Sequence, residues 1–84
     1  MLFLIEYDRA RGAIVNFVTF TESERIAAEN SSLEMELTLS RKSIDHEVVL
    51  LEAASEAALR KTHRRYFQNA REIGESLEGP AFDA

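Results

Sequence analysis

Six residues near the start of the chain, Leu2-Phe3-Leu4-Ile5-Glu6-Tyr7, constrain its fold more than any other segment. At strand period, Leu2 and Leu4 share one face while Phe3, Ile5 and Tyr7 share the other, so both faces are apolar. A strand of this kind belongs in the centre of a sheet or under cover on both sides. Its partner follows at once. Asp8-Arg9-Ala10-Arg11-Gly12 has an aspartate to open a turn and a glycine able to take positive φ. Ala13–Phe20 then returns as a second strand, with Ile14, Val15, Phe17, Val18 and Phe20 as its apolar residues.

Thr21-Glu22-Ser23-Glu24 matches a capping box, with a hydroxyl at the cap and a carboxylate three residues on. The first-turn glutamates also suit the positive end of the helix dipole. This predicts a helix over 22–40 with two apolar stripes. Ile26, Leu33 and Leu37, with Asn30, form one; Ala28, Met35 and Leu39 form another on nearly the opposite side. Leu33–Leu39 also alternates at strand period, which leaves a fourth strand as the competing reading. Leu, Glu and Met are strong helix formers and no glycine or proline intervenes, so the single helix is preferred.

Glu47–Ala53 reads as a third strand with a continuous apolar centre, and Ser55 caps a second helix with Glu56 in its first turn. Leu59, His63, Tyr66 and Ala70 form its apolar stripe, beside Phe67. Arg60, Lys61, Arg64, Arg65 and Arg71 form a basic arc on the other side. The expected fold is α+β: a small ββαβα two-layer sandwich, its three-stranded sheet carrying both helices on one face. Residues 1–73 are expected to form a single domain, and 74–84, with Gly74, Gly79 and Pro80 among three acids, read as a frayed acidic tail. At 84 residues the core supplies only about 3–5 kcal/mol.

The formal charge is −5, but its distribution says more than its sum. Residues 21–40 carry five glutamates against one arginine, and 55–71 carry five bases against Glu56. An acidic chain with a local basic arc is not expected to bind nucleic acid or anionic membranes. Met1–Ile5 has no basic start and no run approaches a membrane span, so a cytoplasmic location is expected. With no cysteine, disulfides and thiolate chemistry are excluded.

Few constellations carry chemistry. Asp45-His46-Glu47 has the composition of a metal site, but consecutive strand residues point to alternate faces, so no metal is expected there. Glu6 and Glu52 are two carboxylates in two apolar strands, able to act as an acid–base pair or to sit with arginines. Arg9 and Arg11 read as a soluble turn. His63, on the border between stripe and arc, reads as a structural histidine or as a titratable contact in a cleft. There is no glycine-rich phosphate loop and no serine in a nucleophile elbow, and no cofactor is expected.

The expected function is therefore a self-associating interaction or regulatory domain without catalytic activity. The expected state is a homodimer, with Ala28, Met35, Leu39 and Arg65 at the interface and Arg64 and Arg65 engaging carboxylates beside it. The alternative is a small-molecule (anion) binding domain or enzyme, with a site at a subunit boundary formed by His63, Arg64, Tyr66 and Arg60. An acidic protein or a small anion would be the ligand of such a basic arc.

Overall fold

The computed structural model describes residues 1–67. Strand β1 (Leu2–Asp8) lies in the middle of a three-stranded antiparallel sheet, between β2 (Ala13–Phe20) and β3 (Glu47–Glu52). Every residue from Leu2 to Tyr7 is buried. The apolar character of both β1 faces thus finds its reason in the sheet order. β2 and β3 are each antiparallel to β1, so they run in the same direction, with β1 inserted between them.

The hairpin forms through the residues expected of it. Asp8 Oδ1 accepts hydrogen bonds from the backbone N–H of Ala10 and Arg11 at 3.0 and 3.2 Å. Gly12 takes φ 65° and donates its N–H to the Asp8 carbonyl at 2.8 Å. The register shifts between Glu6 and Tyr7, where Val15 is the extra residue of a β-bulge in β2.

The helical reading of 33–39 holds. A 3-10 turn (Glu22–Glu24) leads into α1 (Arg25–Arg41). Glu24 Oε1 accepts the Thr21 N–H at 2.8 Å, the carboxylate half of the capping box. At the far end Ser43 adopts φ 56°, its N–H donates to the Ser40 carbonyl, and the Ile44 N–H reaches back to Leu39. This is a Schellman closure with serine at the position glycine usually occupies. It supplies the stop that no glycine or proline announced.

The two helices lie on opposite faces of the sheet, which corrects the expectation of a two-layer sandwich with both on one face. Phe3, Ile5 and Tyr7 pack with Leu59, Tyr66 and Phe67, so α2 (Glu56–Thr62) and the 3-10 turn after it (Arg64–Tyr66) cover that side. On the other side are Leu2, Leu4 and Glu6. Arg25 of α1 reaches Glu52, the cross-strand partner of Leu2, so α1 lies over this face, packed against β3 and β1. The physical reason was already in β1: a strand apolar on both faces needs cover on both.

α1 meets the sheet through Ala28 and Leu39, both buried, with Met35 half-buried between them. The stripe expected at an intermolecular interface is therefore the intramolecular one. α2 is also shorter than expected. The Thr62 hydroxyl lies 3.1 and 3.3 Å from the carbonyls of Ala58 and Leu59, and the chain leaves α-geometry at His63. The expected continuation through Ala70 and Arg71, and the tail 74–84, lie outside the described residues.

A serine held at positive φ is strained relative to glycine by more than glycine's entropy in the unfolded chain offsets. Ser43→Gly is expected to stabilise the fold by about 0.5–1 kcal/mol, read from urea denaturation followed by far-UV circular dichroism. An unchanged or lower midpoint would show that the closure carries no such strain.

Candidate functional site

A buried carboxylate with two hydrogen-bond donors lies in the centre of the sheet. Glu6 is 6 % exposed, in the middle of β1. A carboxylate so placed must find donors or be protonated. Asn16, its cross-strand partner on β2, donates from Nδ2 to Glu6 Oε1 at 2.7 Å. His46, just ahead of β3, lies with Nδ1 2.5 Å from Glu6 Oε2. A carboxylate can only accept, so Nδ1 is the donor here. His46 Nε2 lies 3.5 Å from Asp8 Oδ2. One side chain of the central strand is thus tied to both neighbouring strands. Burial pushes the Glu6 carboxyl upward. The hydrogen bonds from His46 and Asn16, with the nearby charges of His46 and Lys42, outweigh it and hold the group below its ordinary value.

This cluster has the partners of a satisfied buried acid. No group of three or more His, Cys, Asp or Glu side chains able to hold a metal ion occurs among the described residues. Glu52 does not join Glu6. On β3 it lies four residues beyond Val48, the partner of Glu6, and it pairs with Arg25 at 3.0 Å. Arg25 also holds Glu22 at 2.7 Å, which clips the start of α1 to the end of β3. Arg9 pairs with Asp45 at 3.1 Å, in keeping with a soluble turn.

Three of the residues expected to bind an anion, His63, Tyr66 and Arg60, each engage a different neighbour. Tyr66 is buried, and its hydroxyl donates to Glu47 Oε2 at 2.6 Å. Arg65 donates to that same carboxylate oxygen at 2.7 Å and to the Tyr66 oxygen at 2.6 Å. Burial, followed by the Glu47 contact, raises the Tyr66 hydroxyl above its ordinary value, so it stays a donor. His63 is held through Nδ1 by the Thr62 hydroxyl at 2.8 Å. Arg60 pairs with Glu56 and lies over the Phe67 ring, 4.5 Å from its centroid. Arg65 lies over Tyr66 at 4.1 Å. Two members of the basic arc therefore cap aromatic rings of the core, while Lys61 and Arg64 are exposed. Arg65, expected at an interface, is spent within the chain.

What the surface offers instead is apolar. Ile26, Leu33 and Leu37 are 75, 55 and 46 % exposed, on the side of α1 directed away from the sheet. An open pocket of about 350 Å³ lies at the end of this stripe, lined among the described residues by Glu34, Leu37, Thr38 and Arg41. On the sheet, Val18 of β2 is 41 % exposed, because α1 lies over β3 and β1. Among the described residues no helix is long and apolar enough to cross a membrane.

Comparison with protein-family models, with characterised proteins and with solved structures yields no match, so function has to be read from this geometry.

The sign of the Glu6 shift fixes a pH response. A carboxyl held below its unfolded value stabilises the fold at pH above that value, and this contribution disappears as pH falls through the folded one. Wild type is therefore expected to lose thermal stability below the ordinary carboxylate value of 4.5 more steeply than Glu6→Gln. Glu6→Ala leaves two donors unpaired and is expected to cost about 1–3 kcal/mol at neutral pH. Parallel acid profiles of wild type and Glu6→Gln would remove Glu6 as the titrating tie.

Proposed function

We propose that this chain is a small, non-catalytic protein-interaction domain that associates with its own copy through the open edge of β2. The observation that carries the reading is the character of that edge. Ala13–Phe20 is an eight-residue strand without a single charge or proline, paired among the described residues with β1 alone. Soluble proteins usually protect such an edge with charge, proline or a very short strand. β2 has only the bulge at Val15. The opposite edge is different: β3 carries Glu47 and Glu52 at its two ends.

Charge also selects a second copy as the occupant. Two chains of net charge −5 repel, and close approach is least costly where neither has a charged side chain. The regular part of the edge beyond the bulge, Asn16–Phe20, pairs antiparallel with itself about Val18. In that register Asn16 meets Phe20, and Phe17 meets Thr19. No like charges oppose each other, Val18 gains a cross-strand partner, and two three-stranded sheets become one of six strands. The reading as an anion-binding site around His63 has less support, because Tyr66 is engaged by Glu47, Arg60 by Glu56 and His63 by Thr62.

Val18→Lys places two lysines across the symmetry axis at about 5 Å, on a side chain that is already half in water. The variant is expected to stay folded and to weaken dimerisation about tenfold or more in sedimentation equilibrium, whereas Val18→Thr keeps the dimer. A wild-type chain that is monomeric across the whole concentration range, or a Val18→Lys dimer as tight as wild type, would exclude this edge.

A further inference from the structure

We propose that the outer face of α1 is a docking surface for a basic amphipathic helix of another protein. The inference is independent of the β2 edge, because the stripe formed by Ile26, Leu33 and Leu37 lies on the side of α1 turned away from the sheet. These three side chains recur at intervals of seven and four residues, so they lie on one side of the helix over about 16 Å, with Asn30 between Ile26 and Leu33. Nothing in the described core uses them. A strip of this kind on a marginally stable small domain is a liability unless a partner covers it.

The charges around the strip choose the partner. On the helical wheel Glu29 and Glu36 lie along one flank and Glu34 along the other. Arg25, the sole base of residues 21–40, shares the flank of Glu29 and Glu36 on the wheel but is held by Glu22 and Glu52. Arg41 is the base that borders the C-terminal end.

A second copy fits poorly. In the antiparallel arrangement that sets Ile26 against Leu37, Glu29 of each chain falls within about 3 Å along the axis of Glu36 of the other. A parallel arrangement brings Glu36 beside Glu34 instead. Both place like charges together where the contact would exclude water. The chain's own residues 68–84 carry Arg71 against Glu72, Glu75, Glu78 and Asp83, so they match the flanks no better. Nor does the basic region of α2 on another copy supply the complement. Lys61 and Arg64 are exposed there, but the exposed large hydrophobic residues described all lie elsewhere.

A helix with leucine-type side chains on one stripe and lysine or arginine on both borders meets every requirement. Its apolar residues cover Ile26, Leu33 and Leu37, and its bases pair with Glu29, Glu34 and Glu36 at the rim. The long stems of lysine and arginine add apolar contact beside the strip, and the pocket by Leu37 offers a seat for one of them, with Glu34 at its rim. The apolar contact supplies affinity; the rim charges supply orientation, partner choice and salt dependence.

The test uses a fluorescent helical peptide of about 18 residues, leucine on one stripe and lysine elsewhere, and its analogue with glutamate for lysine. Anisotropy is measured with the full chain at two salt concentrations. The lysine peptide is expected to bind and the glutamate peptide not to. Leu33→Ser combined with Leu37→Ser should weaken binding about tenfold or more with an unchanged circular dichroism spectrum, since both residues are exposed. Glu29→Gln with Glu36→Gln should weaken it less and flatten its salt dependence. Absence of binding, equal binding of both peptides, or affinity unaffected by the Leu33 and Leu37 substitutions would overturn the proposal. So would loss of homodimer in the Leu33→Ser, Leu37→Ser chain, since the strip would then be occupied by a second copy.

Discussion

The structure depends on the burial of β1 from both sides. Leu2 to Tyr7 are removed from water almost completely, although a chain of this length has little material to cover them with. Each remaining element covers a part of that strand. β2 and β3 take up its backbone donors and acceptors, α1 covers Leu2 and Leu4, and α2 with the aromatic turn behind it covers Phe3, Ile5 and Tyr7. The same constraint explains the polar knot at the centre. Glu6 shares the burial of its neighbours and is tolerated because Asn16 on β2 and His46, just ahead of β3, deliver donors from either side.

The two half-cores are built differently. The α2 side is aromatic. Tyr7 and Tyr66 meet edge to face at 5.3 Å, Phe17 and Phe67 at 5.9 Å, and Phe3 stacks on Phe17 at 5.8 Å. Arg60 and Arg65 lie over the outermost rings. The basic arc is thereby partly a structural device, holding positive charge against ring faces and against Glu56 and Glu47. The α1 side is aliphatic and closes through the small Ala28, which lets the helix approach, with Leu39 near its end. A helix that buries only a narrow strip on one side and carries large apolar residues on the other is left with a second face.

Function, on this reading, lies in what three strands and two helices cannot cover. A sheet this small has two edges and α1 lies over only part of it, so among the described residues β2 pairs with β1 alone and Val18 is partly exposed. The titratable groups point the same way. Glu6, Glu47, Tyr66, His46 and His63 are each engaged by neighbours inside the chain, whereas the apolar residues and acidic flanks of α1, like Lys61 and Arg64, are exposed.

The hairpin, the helix start at Thr21, the third strand and the cap at Ser55 were legible in the sequence, because each rests on a local rule. Those rules are the turn chemistry of Asp8 and Gly12, the carboxylate of Glu24, strand alternation, and a hydroxyl ahead of a helix. The central position of β1 was legible too, since two apolar faces admit few alternatives. What the tertiary structure alone decided were the relations between elements. Two stripes of α1 had equal claims by periodicity; the sheet chose Ala28 and Leu39, because a helix takes its orientation from what it packs on. α2 stopped at Thr62 and His63 turned toward that hydroxyl, through a side chain to backbone competition that helix propensity does not measure. The pairing of Glu6 with His46, forty residues away, depends on the register of three strands. The sequence stated which groups needed partners, and only the packed sheet could say which partners they found.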